Sequence, residues 1–345
     1  MNPVYINGIG IISRCAQNPD EMIGAVTGKL NNFIDFSEKI PFKSAVPSSK
    51  LRRCSRYTKM AVSAAALAAN GGNLTLSDTE HTGTILSTGF GAVESNITFS
   101  DSVVKGDPAL CSPTIFSATV PNSCVGQICI VNGYKGFSTV LTAGDPIEYS
   151  SLLLHTKRAK NILCGSVEEY NSELETAVRC SDNAKDISIS EGAAMLMLSA
   201  KPTESTYCRV TAFSSAALSA YPYLHQIDMA YSEKLLTEIF TEIVAERTPD
   251  IILTQSSGTY FDDAERQAVI KVFGNHTIIA EPKKLFGETF GCGYLLNVSL
   301  GAILLKSGIL PSEIIHEYNS DREIHSILAT GLDAHGNYMT ALLEV

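Results

Sequence analysis

Residues 138–155, STVLTAGDPIEYSSLLLH, decide the fold. Ser138 to Thr142 sets β-branched residues inside an apolar run, which predicts a short buried strand. Asp145 is a good helix N-cap, and Pro146 suits the first helical position, where its missing N–H costs nothing. A helix is expected over Ile147 to Ala159, with Lys157, Arg158 and Lys160 complementing the negative end of its dipole. The apolar run Asn161 to Val167 then predicts another strand, so the unit reads strand, helix, strand. In several enzyme families such a strand-to-helix turn presents a nucleophile, with helix N–H groups aimed at the reacting atom. Here the turn Thr142-Ala143-Gly144-Asp145-Pro146 holds no Cys, Ser or Lys to present.

The same alternation runs outward in both directions. Val4 to Ser13 predicts a first strand with a glycine pair, and Ser55 to Asn70 a small-residue buried helix closed by Gly71-Gly72. Thr82 to Thr88 reads as a strand, residues 92–122 as a less regular stretch, and Val125 to Asn132 as a helix or strand. Gly192 to Ser199 is a further strand. From about residue 205 the pattern begins again. Strands are expected at Arg209–Leu218, Ile251–Gln255 and Thr277–Ala280, and helices at Tyr231–Glu246, Asp262–Phe273 and Gly293–Gly308. Ile324–Leu332 and Tyr338–Val345 form a closing hairpin around His335-Gly336-Asn337. Two rounds of strands and helices predict a duplicated α/β fold, with halves at 1–203 and 204–345 in one compact body.

At 345 residues the chain can bury a large core. No run of about 18 uninterrupted apolar residues is present, so no membrane span is expected. MNPVYINGIG lacks the basic and apolar regions of a signal peptide, which predicts a cytoplasmic protein. A net charge of -10 argues against nucleic acid as a partner. Lys50, Arg52, Arg53, Arg56 and Lys59 form a local basic cluster, either a solvated helix face or a dock for an acidic carrier protein. The nine cysteines form no CxxC pair and read as reduced, mostly buried thiols. Neither they nor the histidines show metal-ligand spacing, and no metal or cofactor is expected.

Seven stretches, in order, resemble the β-ketoacyl synthase branch of the thiolase superfamily. They are VYINGIGIIS, CSRYTKMAVSAAALAA, SPTIFSATVPN, AKNILCGSVEEY, SEGAAMLML, KKLFGETFGCG and LDAHGN, and together they span nearly the whole chain. The resemblance implies a thiolase-like duplicated fold, layered α-β-α-β-α with mixed five-stranded sheets. The family's chemistry needs a turn cysteine that takes the acyl chain as a thioester. It also needs two histidines that promote decarboxylation and stabilise the enolate and oxyanion. In this chain the cysteine position is Gly144, or Asp145 if the register slips by one. The first histidine becomes Ser257, before Gly258-Thr259, and the second becomes Glu288. Lys283 alone matches the pattern, and the gatekeeping phenylalanine of the final loop becomes Asp333. The segment between Glu168 and Glu191 is also shorter than the family's.

Gly144 cannot be acylated, Ser257 has no basic nitrogen, and Glu288 places negative charge where an enolate would develop. The resemblance therefore implies a catalytic residue set of none, with Gly144, Asp145, Ser257, Glu288 and Lys283 as vestigial positions. It is closest in logic to the chain length factors of bacterial type II polyketide and aryl-polyene systems. Those are ketosynthase-like subunits that pair with an active β-ketoacyl synthase and shape its tunnel. The expected partner is thus such a synthase, in a heterodimer or heterotetramer, with the acyl carrier protein reached mainly through it. Cys111, Thr114, Ile115, Phe116, Thr119 and Val120 are the expected tunnel wall, where bulk would limit chain length; plain core packing is the competing reading of Ile115, Phe116 and Val120. Two other functions stay open. One is a hydrolase or decarboxylase on the same fold, using Ser256, Ser257, Asp145 or Glu288. The other is a homodimeric acyl-chain binding protein.

Overall fold

In the computed structural model, residues 2–72, 78–106, 108–244, 248–315 and 323–345 are described. The strands among them are β1 (Val4–Ile12), β2 (Thr82–Ser87), β3 (Ser138–Leu141), β4 (Asn161–Glu168), β5 (Gly192–Ser199), β6 (Cys208–Ala217), β7 (Ile251–Leu253), β8 (Ile278–Ala280), β9 (Ser326–Leu332) and β10 (Asn337–Glu344). The helices are α1 (Pro19–Val26), α2 (Ser48–Leu51), α3 (Arg56–Gly71), α4 (Val93–Lys105), α5 (Pro113–Ala118), α6 (Asn122–Asn132), α7 (Pro146–His155), α8 (Ser172–Arg179), α9 (Met229–Val244), α10 (Phe261–Phe273), α11 (Lys283–Phe286) and α12 (Gly293–Ser307).

The strands run in the order β3-β2-β4-β5-β1-β6-β10-β9-β7-β8. The second five repeat the first in mirror order about the β1–β6 junction, and their senses repeat too. β2 lies parallel to β3 and β4, as β7 does to β8 and β9. β5 is antiparallel to β4 and β1, as β10 is to β9 and β6. Each half is thus a mixed five-stranded set, and the pairs Val4–Val210, Tyr5–Arg209 and Ile6–Cys208 join them edge to edge.

Helices α3 and α6 cover the outer face of the first half, and α9 and α10 that of the second. Helix α12 lies between the halves, against β1 and β5 on one side and β9 and β10 on the other. The sequence explains this placement, because α12 is apolar on every side and Gly293 to Leu305 are buried throughout. Its length and apolarity would suit a membrane span, yet the window Phe290–Ser307 is 89% buried inside the protein. The glycine pair in β1 has an equally physical reason. A Cβ on Gly8 would lie 2.2 Å from the Ala68 carbonyl oxygen, and one on Gly10 2.0 Å from that of Ala64. Strand and helix backbones touch there, and only glycine permits it.

Several expectations need correcting. β3 is an edge strand, exposed to half-buried, because no strand among the described residues pairs along its outer side. Helix α7 stops at His155 rather than Ala159, and Lys157 adopts a left-handed φ of 59° that ends it. The less regular stretch contains two helices, α4 and α5, and Val125 to Asn132 belongs to α6. The expected end of α9 at Glu246 lies outside the described residues. Arg56 leaves the basic cluster, since its guanidinium pairs with the buried carboxylate of Glu191. All nine cysteines are free thiols; Cys164 is buried, Cys129 only half-buried and Cys180 exposed.

Candidate functional site

The turn from β3 into α7 places Gly144 at its apex with φ +93°. That conformation favours glycine, and a Cβ built there meets nothing within 4 Å. Asp145 is turned the other way. Its Oδ1 accepts from the N–H groups of Ile147 (2.7 Å) and Glu148 (3.3 Å), capping α7. Its Oδ2 accepts from the Tyr294 hydroxyl at 3.1 Å. The carboxyl is buried, and burial pushes its pKa up to about 7 against the opposing effect of these three donors. The apex of the turn therefore has room and no side chain, while the neighbouring carboxylate is committed to structure.

Ser257, Lys283 and Glu288, far apart in sequence, meet in one network. The Glu288 carboxylate is buried and its Oε2 accepts from Lys283 Nζ at 2.6 Å and from the Ser257 hydroxyl at 2.7 Å. Its Oε1 accepts from the Phe290 N–H at 2.5 Å. The Ser257 hydroxyl in turn accepts from Tyr223 OH at 2.6 Å, and Tyr223 OH from the Gln255 amide at 2.5 Å. The Ser257 N–H donates to Asp262, as do those of Gly258 and Thr259. Glu288 is therefore an ion-paired buried group and not a solvated one. Lys284 plays no part, being paired with Glu281. The carboxylate that accepts the Ser257 proton already holds the Lys283 ammonium. Ser256 is engaged separately, accepting from the Thr254 hydroxyl at 3.1 Å.

The C-terminal hairpin closes the site through Asp333, which is also buried. Oδ1 accepts from the N–H groups of His335 (2.8 Å) and Asn337 (2.9 Å), which holds the turn between β9 and β10. Oδ2 accepts from the Asn337 side-chain amide at 2.7 Å and from the Gly144 N–H at 3.0 Å. The side chain of His335 is exposed, and only its backbone contributes. Tyr221 lies among these groups. Burial, with the carboxylates of Glu288, Glu168 and Asp333 nearby, pushes its phenol well above the ordinary range. Glu168 is itself raised to about 8 by burial, although Gly89 N, Phe90 N and the Thr88 hydroxyl donate to it.

The six candidate tunnel residues do not meet this interior site. Cys111, Ile115 and Thr119 are half-buried, while Thr114, Phe116 and Val120 are exposed. The reading of Ile115, Phe116 and Val120 as plain core is therefore wrong for this chain. Phe116 is 59% exposed and leans on Phe99, ring centroids 5.2 Å apart. Leu110 at 82% and Ile130 at 77% are more open still, and Phe137 and Leu152 flank β3 in the same condition. Between β3 and α7 runs an apolar groove of about 560 Å³, lined by Leu141, Ala143, Gly144, Tyr149, Leu152 and Phe213 among others.

No family model matches the chain, and no curated protein matches it. Solved structures do. A β-ketoacyl synthase from Burkholderia phymatum STM815 superposes with a TM-score of 0.80 at 15% identity, covering 100% of this chain and 99% of that one. The fold is that of the β-ketoacyl synthases. The ishigamide ketosynthase/chain length factor gives 0.80 at 16% identity, again over 100% and 99% of the two chains. A type II polyketide synthase acyl-carrier protein in complex with its ketosynthase bound to the hexaketide (AntDE:AntF) gives 0.79 at 14% over the same shares. At such identities the ketosynthase likeness speaks for architecture, and the chemistry rests on the residues described above.

Sequence reasoning missed Tyr223, Gln255 and Tyr294, whose hydroxyls and amide tie the site together. Tyr223 lies in a connection between β6 and α9 with no motif around it, so nothing local marks it. Tyr294 was hidden inside an apolar helix, where a lone tyrosine hydroxyl is the only signal that a buried partner exists.

Proposed function

We propose that this chain is a non-catalytic ketosynthase-like subunit, of the chain length factor kind, that pairs with an active β-ketoacyl synthase and helps shape its acyl tunnel. The observation that carries the reading is the apex at Gly144: the strand-to-helix turn has open space at its apex, yet takes a left-handed φ that suits glycine and carries no nucleophile. The other vestigial positions support it, since Ser257, Glu288 and Lys283 are consumed by one another. The outer face supports the pairing. Among the described residues no strand pairs with the outer edge of β3, and large apolar side chains lie open on both sides of it, a pattern that marks interaction surfaces. Residues 111–120 then meet the partner and not this chain's own interior, with the carrier protein reached mainly through that partner. Segments 1–203 and 204–345 are the two copies of the duplicated unit.

The test is co-expression with a ketosynthase that carries the turn cysteine and both histidines, tagging only this chain, followed by solution mass. A one-to-one complex, with condensation absent from either subunit alone, is the expected result. A homodimer that ignores the ketosynthase, or an acyl adduct on the lone chain, would sink the proposal.

A further inference from the structure

The Gly144 N–H points at a carboxylate from the opposite end of the chain. This rests on the non-catalytic reading above and deepens it. An acyl group carried on residue 144 would develop negative charge on its carbonyl oxygen beside that same N–H, at the start of α7. A preorganised backbone donor in that place is what stabilises such an oxyanion. In this protein the donor already has a permanent acceptor, Asp333 Oδ2 at 3.0 Å. Asp333 is buried, and its other three hydrogen bonds come from His335 N, Asn337 N and the Asn337 amide. The turn between β9 and β10 therefore fixes the carboxylate in place, so it cannot swing away to free the donor.

We propose that Asp333 is an internal anionic clamp on the former nucleophile turn, a second block to catalysis that is independent of the missing cysteine. It acts in two ways. It occupies the donor an oxyanion would need, and it sets a negative charge beside position 144, which disfavours a thiolate there. It also ties the turn below β3, and hence the exposed face, to the C-terminal hairpin. Restoring the cysteine alone therefore does not restore a reactive thiol.

The experiment places a thiol at the apex of the full chain. Gly144→Cys and the double variant Gly144→Cys/Asp333→Asn are alkylated with iodoacetamide across a pH series. Modification of residue 144 is followed by peptide mass spectrometry, which separates it from the nine native thiols. In the single variant the residue-144 thiol is expected to react slowly at neutral pH, with its midpoint above that of a free cysteine. In the double variant the midpoint falls by a unit or more, so the rate at neutral pH rises about tenfold. Equal rates and midpoints in the two variants would overturn the clamp. Hydrogen exchange of the Gly144 amide in the unmodified chain gives a readout that needs no variant to fold. Protection is expected, and exchange at the rate of a free amide would also overturn it. Incubating the unmodified chain with an acyl thioester keeps the two ideas separate, because an adduct there would defeat the non-catalytic reading and leave the clamp result standing.

Discussion

Both oxygens of Glu288, the Ser257 hydroxyl and the Lys283 ammonium are paired inside the protein, whereas the outer edge of β3 meets no strand among the described residues and is flanked by open apolar side chains. The two regions come from different parts of the chain: the paired groups lie just after β7 and in or just after α11, whereas β3 leads into the turn at Gly144. In the interior, polar groups that face one another have been satisfied by one another. On the outside, large apolar side chains such as Phe116 and Ile130 keep much of their surface in solvent.

The sharpest way to break this comparison is to unpair the interior. Glu288→Ala strands the Lys283 ammonium, whose side chain is only 3% exposed, without a countercharge. A loss of about 3–5 kcal/mol is expected in urea unfolding. The double change Lys283→Met/Glu288→Leu should recover most of it. A single-variant loss below about 1 kcal/mol would mean the site is open to water and the contrast is false.

The outer face predicts the reverse behaviour. Phe116→Asp should leave the unfolding free energy in urea within about 0.5 kcal/mol of the parent, because a side chain largely in solvent has little to lose. Affinity for the ketosynthase should nevertheless fall tenfold or more, about 1.4 kcal/mol, measured by titration of purified subunits. Unchanged affinity would remove residues 111–120 from the interface.

A smaller effect concerns the group between the two regions. Asp145 has its pKa pushed up to about 7 by burial, against about 3.9 in an unfolded chain. The folded state then holds a proton that the unfolded state has released, so its stability contribution falls as pH rises from about 4 to 7. The slope from this one group is at most about 1.4 kcal/mol per pH unit. Asp145→Asn should flatten that part of the profile between pH 5 and 7. Some slope should persist, since Glu169, raised to about 7, and Glu168, raised to about 8, act in the same direction. A profile identical to the parent's would show that Asp145 is ionised in the fold.

Much of the architecture was legible. The strand-turn-helix at 138–155, the buried helix after Ser55 and the closing hairpin announce themselves through local signals: apolar period, caps and turn residues. The glycine at the apex was legible for the same reason, since it is a single residue within a recognisable turn. The edge status of β3 was not, because a short apolar strand looks alike whether its neighbour is a strand or nothing at all. Residues 92–122 misled in the opposite sense. Their polar and apolar residues follow no core-facing stripe, yet α4 and α5 form with much of their apolar surface in solvent.

By itself, then, the sequence determined the duplicated α/β plan and the glycine at the turn, because each depends on residues close together along the chain. Only the tertiary structure decided that Glu288 is locked to Lys283, that Asp333 reaches Gly144 across 189 residues, and that Phe116 faces outward. Those outcomes depend on which groups meet after distant segments pack. A buried charge or an exposed ring acquires its meaning only from the partner it finds there, or fails to find.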